Sequence, residues 1–408
     1  MYPKTFFLTF CLLVASLSAQ VAHPPATFQR SRIKALESSI RRLETKLNSL
    51  ESPSRILFQN GEEDEEDEGD EDEAKLTISG FGHVQFDYQH VSMTGGGTTN
   101  NDAFALGGLD LFLRSQLNEK VSFLNETVFE PNSAGENVLD VERLIIKYEI
   151  NDDFNIQAGR FHSSFGYWNR AYHHGEFLST SIGRPDVLKF EDDGGLLPIH
   201  IIGLLFEGRQ ETESFEFAGN LEIGNGRGPV PDPPQIVVDG TLGKSINLHL
   251  TAKPKAIEGL EVGVGGYLDR IPVNTDATKG TVHGKLNESI FSFQTTYQKD
   301  EWVFLGEAFF IHHGGGGSAS ADSSGYYFQL SYQQDDWTPY LRFDAIHVSN
   351  QDVYFATLDD RRTIALGVRY DFAEMNALKL QVSFTDVNAA TGADSEEWTF
   401  SSQWSFGF

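Results

Sequence analysis

The last eleven residues of the chain, WTFSSQWSFGF (398–408), give the first indication of the fold class. Alternate positions carry large aromatic side chains, and the positions between them carry small or polar ones. The aromatic set is Trp398, Phe400, Trp404, Phe406 and Phe408, and the polar set includes Ser401, Gln403 and Ser405. This alternation predicts a β-strand, because successive side chains of a strand point to opposite faces. Such a strand fits either a soluble sandwich or a barrel wall between lipid and water, so the rest of the chain has to distinguish them.

The same alternation begins at Leu76 and continues to the C-terminus in about sixteen strands. Long and short connections between the strands alternate along the chain. The eight long ones span 91–103, 131–137, 163–197, 224–243, 269–286, 313–323, 349–362 and 386–395. Long loops at one edge and short turns at the other are the layout of a transmembrane β-barrel. We therefore predict an all-β fold, a transmembrane antiparallel β-barrel over residues 75–408, whose closure pairs every strand edge.

The N-terminal residues 1–19 have the features of a secretory signal peptide. Lys4 provides the positive charge, an apolar stretch follows it, and the small residues Ser18 and Ala19 form the expected cleavage site. The only cysteine, Cys11, lies in this segment, so we expect neither disulfide nor thiol chemistry in the exported chain. With 39% apolar residues and no longer apolar run elsewhere, the composition excludes helical membrane spans.

Two segments of opposite character separate the signal peptide from the barrel. Residues 20–60 contain Ile and Leu at heptad spacing from Ile33 to Leu50, which predicts a short coiled coil. A single amphipathic helix packed on its own protein would show a similar pattern, and Ile and Leu in this order favour dimers. Residues 61–74 carry eleven carboxylates, so we predict an extended acidic linker there.

Three short motifs in residues 75–408 resemble bacterial outer-membrane porins of the general or phosphate-selective type. Phe408, with apolar residues at Phe406 and Trp404, is similar to the C-terminal signature by which barrel-assembly machinery recognises porins. The stretches GRFHSSFG (159–166) and VRYDF (368–372) resemble the approach to the constriction loop and a late strand of these porins. The resemblance implies a homotrimer of sixteen-stranded barrels in the outer membrane. It also implies that the third external loop, here 163–197, folds into the barrel.

The polar faces of the strands predict the residues that line the pore. The predicted pore-lining residues are Arg114, Arg143, Lys147, Arg342, Asp344 and Arg369. The predicted constriction-loop acids are Glu176, Asp186, Glu191, Asp192 and Asp193. A basic wall opposite an acidic loop would create a transverse field that orders small polar solutes. Most of the net charge of −28 falls on residues 75–408, so we expect a weak selectivity that leans towards cations.

No enzyme motif accompanies these features: the sequence contains no G-x-S-x-G, H-E-x-x-H or phosphate-binding loop. The pairs His173–His174 and His312–His313 are poor chelates, because adjacent residues of an extended segment point apart. We therefore expect no catalytic residue, cofactor or metal. The predicted function is a porin for passive diffusion of ions and small polar solutes, with both termini in the periplasm of a Gram-negative-type bacterium. The alternatives are an envelope tether, whose coiled coil binds peptidoglycan or a periplasmic partner while the barrel only anchors it, and a barrel enzyme.

Overall fold

The structure is a computed structural model, and it describes residues 76–131, 137–173, 175–231, 243–273, 284–315 and 318–408. The predicted signal peptide (1–19), coiled-coil segment (20–60) and acidic linker (61–74) lie outside the described residues. The predicted barrel lies almost wholly inside them.

Sixteen antiparallel strands form one closed barrel, in which each strand pairs with its neighbours in the sequence and the first pairs with the last. The predicted fold class is therefore confirmed. The strands are β1 (Leu76–Met93), β2 (Thr98–Asn118), β3 (Val121–Pro131), β4 (Asn137–Asn151), β5 (Phe154–His162), β6 (His200–Glu211), β7 (Phe215–Gly224), β8 (Ser245–Pro254), β9 (Leu260–Val273), β10 (Gly284–Lys299), β11 (Trp302–Gly315), β12 (Ser318–Tyr332), β13 (Trp337–His347), β14 (Asp360–Ala373), β15 (Asn376–Asn388) and β16 (Ser395–Gly407).

The C-terminal stretch closes the barrel. β16 pairs with β1 from Phe81 opposite Gly407 to Met93 opposite Ser395. The backbones of Gly80 and Phe408 exchange two N–H···O hydrogen bonds of 3.0 Å. The last residue of the chain therefore completes the sheet, and no open strand edge remains at this seam.

The two faces of the wall differ in polarity, as the alternation requires. On β4 the outward residues Leu144, Ile146 and Tyr148 are exposed. On β16 the inward residues Ser401, Gln403 and Ser405 are buried inside the barrel, and Trp404 is exposed on the outside. None of the described helices is long and apolar enough to cross a membrane.

Several hairpins extend further than the apolar pattern indicates. The connection 91–103 was expected to be a loop, but β1 and β2 stay paired as far as Ser92 opposite Thr98. The added residues are mostly polar, so their strand conformation comes from backbone pairing and leaves no alternating apolar signal.

One connection contains helical turns. It runs from 163 to 199 between β5 and β6, and we call it the inward loop. It holds a short helix, α1 (Trp168–Ala171), and two 3-10 turns at Asp186–Leu188 and Glu191–Asp193.

A β-bulge interrupts the pairing of β3 with β4. Glu126 pairs with Arg143 and Thr127 pairs with Val141, so Glu142 is the extra residue of β4 at the bulge. As a result both Glu142 and Arg143 are buried on the inner face, although they are neighbours in the sequence. A bulge re-aims a side chain in this way, and simple alternation would have put Glu142 on the outer face.

Candidate functional site: the barrel interior and the inward loop

The inward loop builds a small apolar core inside the barrel. Phe165 and Trp168 are almost completely buried. The ring of Phe165 lies 5.5 Å from that of Tyr267 on β9, and Trp168 lies 5.7 Å from Tyr327 on β12. Burial of side chains of this size favours the loop's position by about 1.5–3 kcal/mol each. The loop is therefore packed against the wall as a folded element.

Acidic side chains of the wall accept hydrogen bonds from backbone N–H groups of the inward loop. Glu222 accepts from Ser164 (2.6 Å), Glu307 from Tyr167 and Trp168 (2.9 and 2.8 Å), and Asp344 from Asp186 (2.8 Å). These three carboxylates belong to β7, β11 and β13, so they hold the loop at separate points around the wall.

Basic side chains of the wall do the reverse and donate to the loop's oxygens. Arg342 donates to Gly183 O (2.7 Å) and to Ser181 Oγ (2.8 Å). Arg369 donates to Ser179 O (2.9 Å) and to Phe177 O. Lys379 donates to Ser181 O (3.2 Å) and to Glu176 O. Charge-assisted hydrogen bonds are about twice as strong as neutral ones. Buried charges also require such partners, so the wall and the loop stabilise each other.

All six predicted pore-lining residues face the interior, but most of their charge is already paired. Arg342 and Asp344 contact each other at 3.1 Å, and Arg369 contacts Asp371 at 2.7 Å. On the other side of the barrel Arg143 pairs with Glu126, and Lys147 with Glu149 at 2.7 Å. Arg114 is half-buried, with its guanidinium 5.4 Å from the centre of the Phe112 ring.

The predicted loop acids divide into buried and exposed groups. Glu176 lies 3.9 Å from Lys379, and Asp186 accepts a hydrogen bond from Thr363 at 2.8 Å. Asp193 is exposed and lies 3.7 Å from Lys189. The side chain of Asp192 lies outside the described part of the chain. Glu191 is buried and is held by the backbone N–H of Ile199 at 2.7 Å.

The environment of the loop shifts the pKa values of its charged groups. Burial alone would raise the pKa of Glu176, but the charge of Lys379 and the neighbouring His83 hold it below its usual value. Burial lowers the pKa of Arg184 to about 10, so this side chain stays charged at neutral pH. Its guanidinium donates to the backbone oxygens of Leu188 (2.6 Å) and His173 (3.0 Å).

Sequence reasoning did not identify three wall residues that hold the loop, nor the acidic partner of Arg143. Glu222, Glu307 and Lys379 contact it directly, and Glu126 faces Arg143. Glu222 stands between Leu221 and Ile223, and Lys379 stands between Leu378 and Leu380, on alternating strands. That position predicted an inward side chain, but nothing in the sequence indicated which inward residues meet the loop.

No protein-family model and no curated protein sequence matches the chain. Solved structures do match it. The anion-selective porin from Comamonas acidovorans is 13% identical with a TM-score of 0.56, and the match covers 82% of this chain and 100% of that one. The outer-membrane channel DcaP of Acinetobacter baumannii is 10% identical with a TM-score of 0.55, covering 83% and 99%. A trimer form of OmpT, an outer-membrane protein of Vibrio cholerae, is 13% identical with a TM-score of 0.51, covering 81% and 99%. At these identities the likeness shows the fold alone: the chain has the barrel fold of outer-membrane porins.

Proposed function

We propose that the protein is an outer-membrane porin through which ions and small polar solutes diffuse passively. The observation that carries this proposal is the closed barrel whose outer face is apolar and whose inner face is charged. An apolar band outside suits lipid, and a charged interior suits water and ions. The porins and channels among the similar folds support the same role.

We place the passage along the part of the wall that the inward loop leaves partly uncovered. Gln85 and Asp87 on β1 and Arg114 on β2 are half-buried, whereas inward residues of β13 such as Arg342 and Asp344 are buried beneath the loop. The inward loop is then the constriction, and its many contacts make the passage narrow and of fixed shape. Small polar solutes are the substrates that such a passage favours.

The test is conductance in a planar lipid bilayer. Purified full-length protein should produce persistent steps of conductance that grow with salt concentration. A barrel that folds, as judged by heat-modifiable migration on gels, but stays electrically silent would favour the envelope tether, in which the barrel is only an anchor. No catalytic role is part of the proposal.

The assembly and location that go with this function are a homotrimer in the outer membrane with both termini in the periplasm. The trimer form of the Vibrio cholerae protein supports the oligomer. In this proposal residues 1–19 direct export, residues 20–60 form a periplasmic coiled coil that could reach peptidoglycan, and residues 61–74 link it to the barrel. Chemical cross-linking of the detergent-solubilised protein should give a three-chain product, and a product limited to two chains would favour the dimer that the heptads suggest.

A further inference from the structure

Four buried side chains with metal-binding chemistry converge where the inward loop begins and ends. They are Glu142 from the bulge in β4, His162 at the end of β5, His173 in the loop and His200 at the start of β6. One donor atom from each lies within 4.8 Å of all the others. All four residues are at least nine-tenths buried. Three imidazoles and a carboxylate in one buried place are a ligand set that divalent transition metals prefer.

The neighbours of His173 fix which of its ring nitrogens can bind an ion. The amide nitrogen of Asn169 donates to the backbone oxygens of Ser163 (2.9 Å) and Ile199 (3.2 Å), so its amide oxygen is an acceptor. That oxygen lies 2.9 Å from Nδ1 of His173, which must therefore carry the proton. The lone pair of His173 is then on Nε2, which faces the cluster. Ligating histidines are oriented in this way in metal sites.

The ring of His200 lies between two carboxylates, those of Glu142 and Glu191. Its Nδ1 lies 3.6 Å from Oε2 of Glu191, and its Nε2 faces the cluster. The other oxygen of Glu191 accepts from the backbone N–H of Ile199 at 2.7 Å, so the carboxylate is held in place. Glu126 lies beside His162, with 3.4 Å between the Oε2 of Glu126 and the Nε2 of the His162 ring. Both carboxylates are buried and add negative charge around the cluster.

Three potential donor atoms of the cluster lie close together. Nε2 of His173 lies 3.1 Å from Nε2 of His200, and Oε2 of Glu142 lies 2.5 Å from the latter and 3.7 Å from the former. The rings of His162 and His173 stack nearly parallel with their centres 3.1 Å apart, so one ring has to tilt for both lone pairs to reach the same ion. In a tetrahedral zinc site with bonds of 2.0–2.1 Å, the donor atoms stand about 3.3 Å apart. The spacing of the three atoms brackets this value, and a cation would take the place of a proton shared among them.

We propose that Glu142, His162, His173 and His200 bind one divalent transition metal ion of the Zn²⁺ class. The ion joins β4, β5 and β6 to the inward loop and fixes both ends of that loop to the wall. Imidazole ligands favour Zn²⁺ and other first-row transition metal ions over Ca²⁺ or Mg²⁺, which take oxygen ligands. Arg160, 3.8 Å from Glu142, opposes the ion's charge, and Glu126 and Glu191 offset it. The proposal replaces the expectation of no metal and does not depend on whether the barrel conducts.

Two backbone features support a built site. The bulge in β4 turns Glu142 inward, where regular pairing would have turned it outward. His173 has a φ of 38°, which is unusual for any residue other than glycine and costs energy that its surroundings must supply. The bulge brings Glu142 to the cluster, and the positive φ accompanies the placement of His173 there.

The first experiment measures the metal content of the purified full-length protein after growth with added zinc. We expect one ion per chain by elemental mass spectrometry. The variants His173→Ala and His200→Ala should reduce it at least tenfold. His312→Ala and His347→Ala are matched controls, because each removes an exposed histidine that contacts a single aspartate, and they should leave the content unchanged. Heat-modifiable migration reports that each variant has folded.

A second measurement needs no variant. X-ray absorption at the zinc edge of the wild-type protein should show histidine nitrogens at about 2.0–2.1 Å. Retention of the full metal content by both folded cluster variants would overturn the proposal, and so would a zinc spectrum without histidine scattering. A wild-type protein that binds no zinc, manganese, iron or copper after dialysis against each ion would also overturn it. The cluster would then be a network held together by shared protons.

Discussion

At the scale of single residues, Gly166 shows how closely the inward loop fits the wall. Its φ is 64°, and a β-carbon at this position would lie 1.4 Å from a carboxylate oxygen of Glu307. Glu307 accepts hydrogen bonds from Tyr167 and Trp168, so an added methyl group must displace the wall residue that holds α1. The contact between Glu307 and the inward loop therefore requires a residue without a β-carbon at position 166.

We expect Gly166→Ala to lower the free energy of unfolding by about 3 kcal/mol, because hydrogen bonds to a charged group are worth about 1.5–3 kcal/mol each. Gly183→Ala is the matched control. Gly183 has a similar φ of 72° but nothing within 4 Å of its β-carbon position, so only the backbone cost of about 1 kcal/mol should remain. Urea unfolding in detergent measures both variants. Equal losses would mean that Glu307 does not hold the loop.

The charge of Glu176 makes the loop's attachment depend on pH. Its pKa is lowered in the folded protein, because Lys379, His83 and Gln403 together outweigh the effect of burial. A lowered folded-state pKa means that the stabilisation is complete above the unfolded value of about 4.3 and is lost as the pH falls through the folded value. Glu176→Gln should therefore be less stable than the wild type at pH 7, and this difference in stability should shrink as the pH falls below about 4.3. A stability difference that does not change with pH would contradict the assignment.

At the scale of elements, the terminal strand was predicted from the sequence, whereas the wall residues that contact the inward loop were not. Alternation in 398–408 indicates β16 and both of its faces, because each residue of a barrel strand meets either lipid or the interior. The loop's partners could not be predicted, since Glu222, Glu307 and Lys379 lie far from 163–199 in the sequence and differ little from other inward polar residues. Glu142 shows a second limit. A bulge shifts the inward–outward alternation by one residue, and no local sequence pattern predicts the position of this bulge.

We expect Phe408→Ala to slow assembly more than it destabilises the finished barrel. The backbone hydrogen bonds between Phe408 and Gly80 do not involve the side chain, which is 57% exposed. The loss of its remaining burial should cost only about 1 kcal/mol. The measurement compares the rate at which folded barrel accumulates in cells with the midpoint of urea unfolding. Normal accumulation of the variant would show that the terminal aromatic residue is not an assembly signal.

The segments before β1 should be separable from the barrel. Deletion of residues 29–74 removes no residue of any described strand, so we expect the shortened protein to keep heat-modifiable migration and conductance. Attachment to the cell envelope should weaken if the coiled coil binds a periplasmic partner. Loss of folding in the shortened protein would show that the barrel needs these residues.

At the scale of the whole molecule, the barrel's charges divide into two sets with different roles. Arg342, Arg369 and Lys379 are occupied with the loop's oxygens, whereas Arg114, Arg143 and Lys147 lie on β2 and β4, on another part of the wall. Charges further than a Debye length of about 8 Å from the passage are screened at physiological salt. Selectivity should therefore depend on the second set, although the whole chain carries −28.

Replacement of Arg114, Arg143 and Lys147 together by Gln tests this division. It leaves Glu126 and Glu149 without their basic partners, so the wall of the passage becomes more negative. We expect the reversal potential in a salt gradient to move clearly towards cations, with the inward loop still attached. Lys255→Gln with Lys299→Gln is the control, because these lysines form exposed pairs with Glu211 and Glu258 near the turns and should not affect selectivity. If the control moved the reversal potential as far as the triple variant, the passage would not run along β2 and β4, and selectivity would depend on charge at the barrel's mouth.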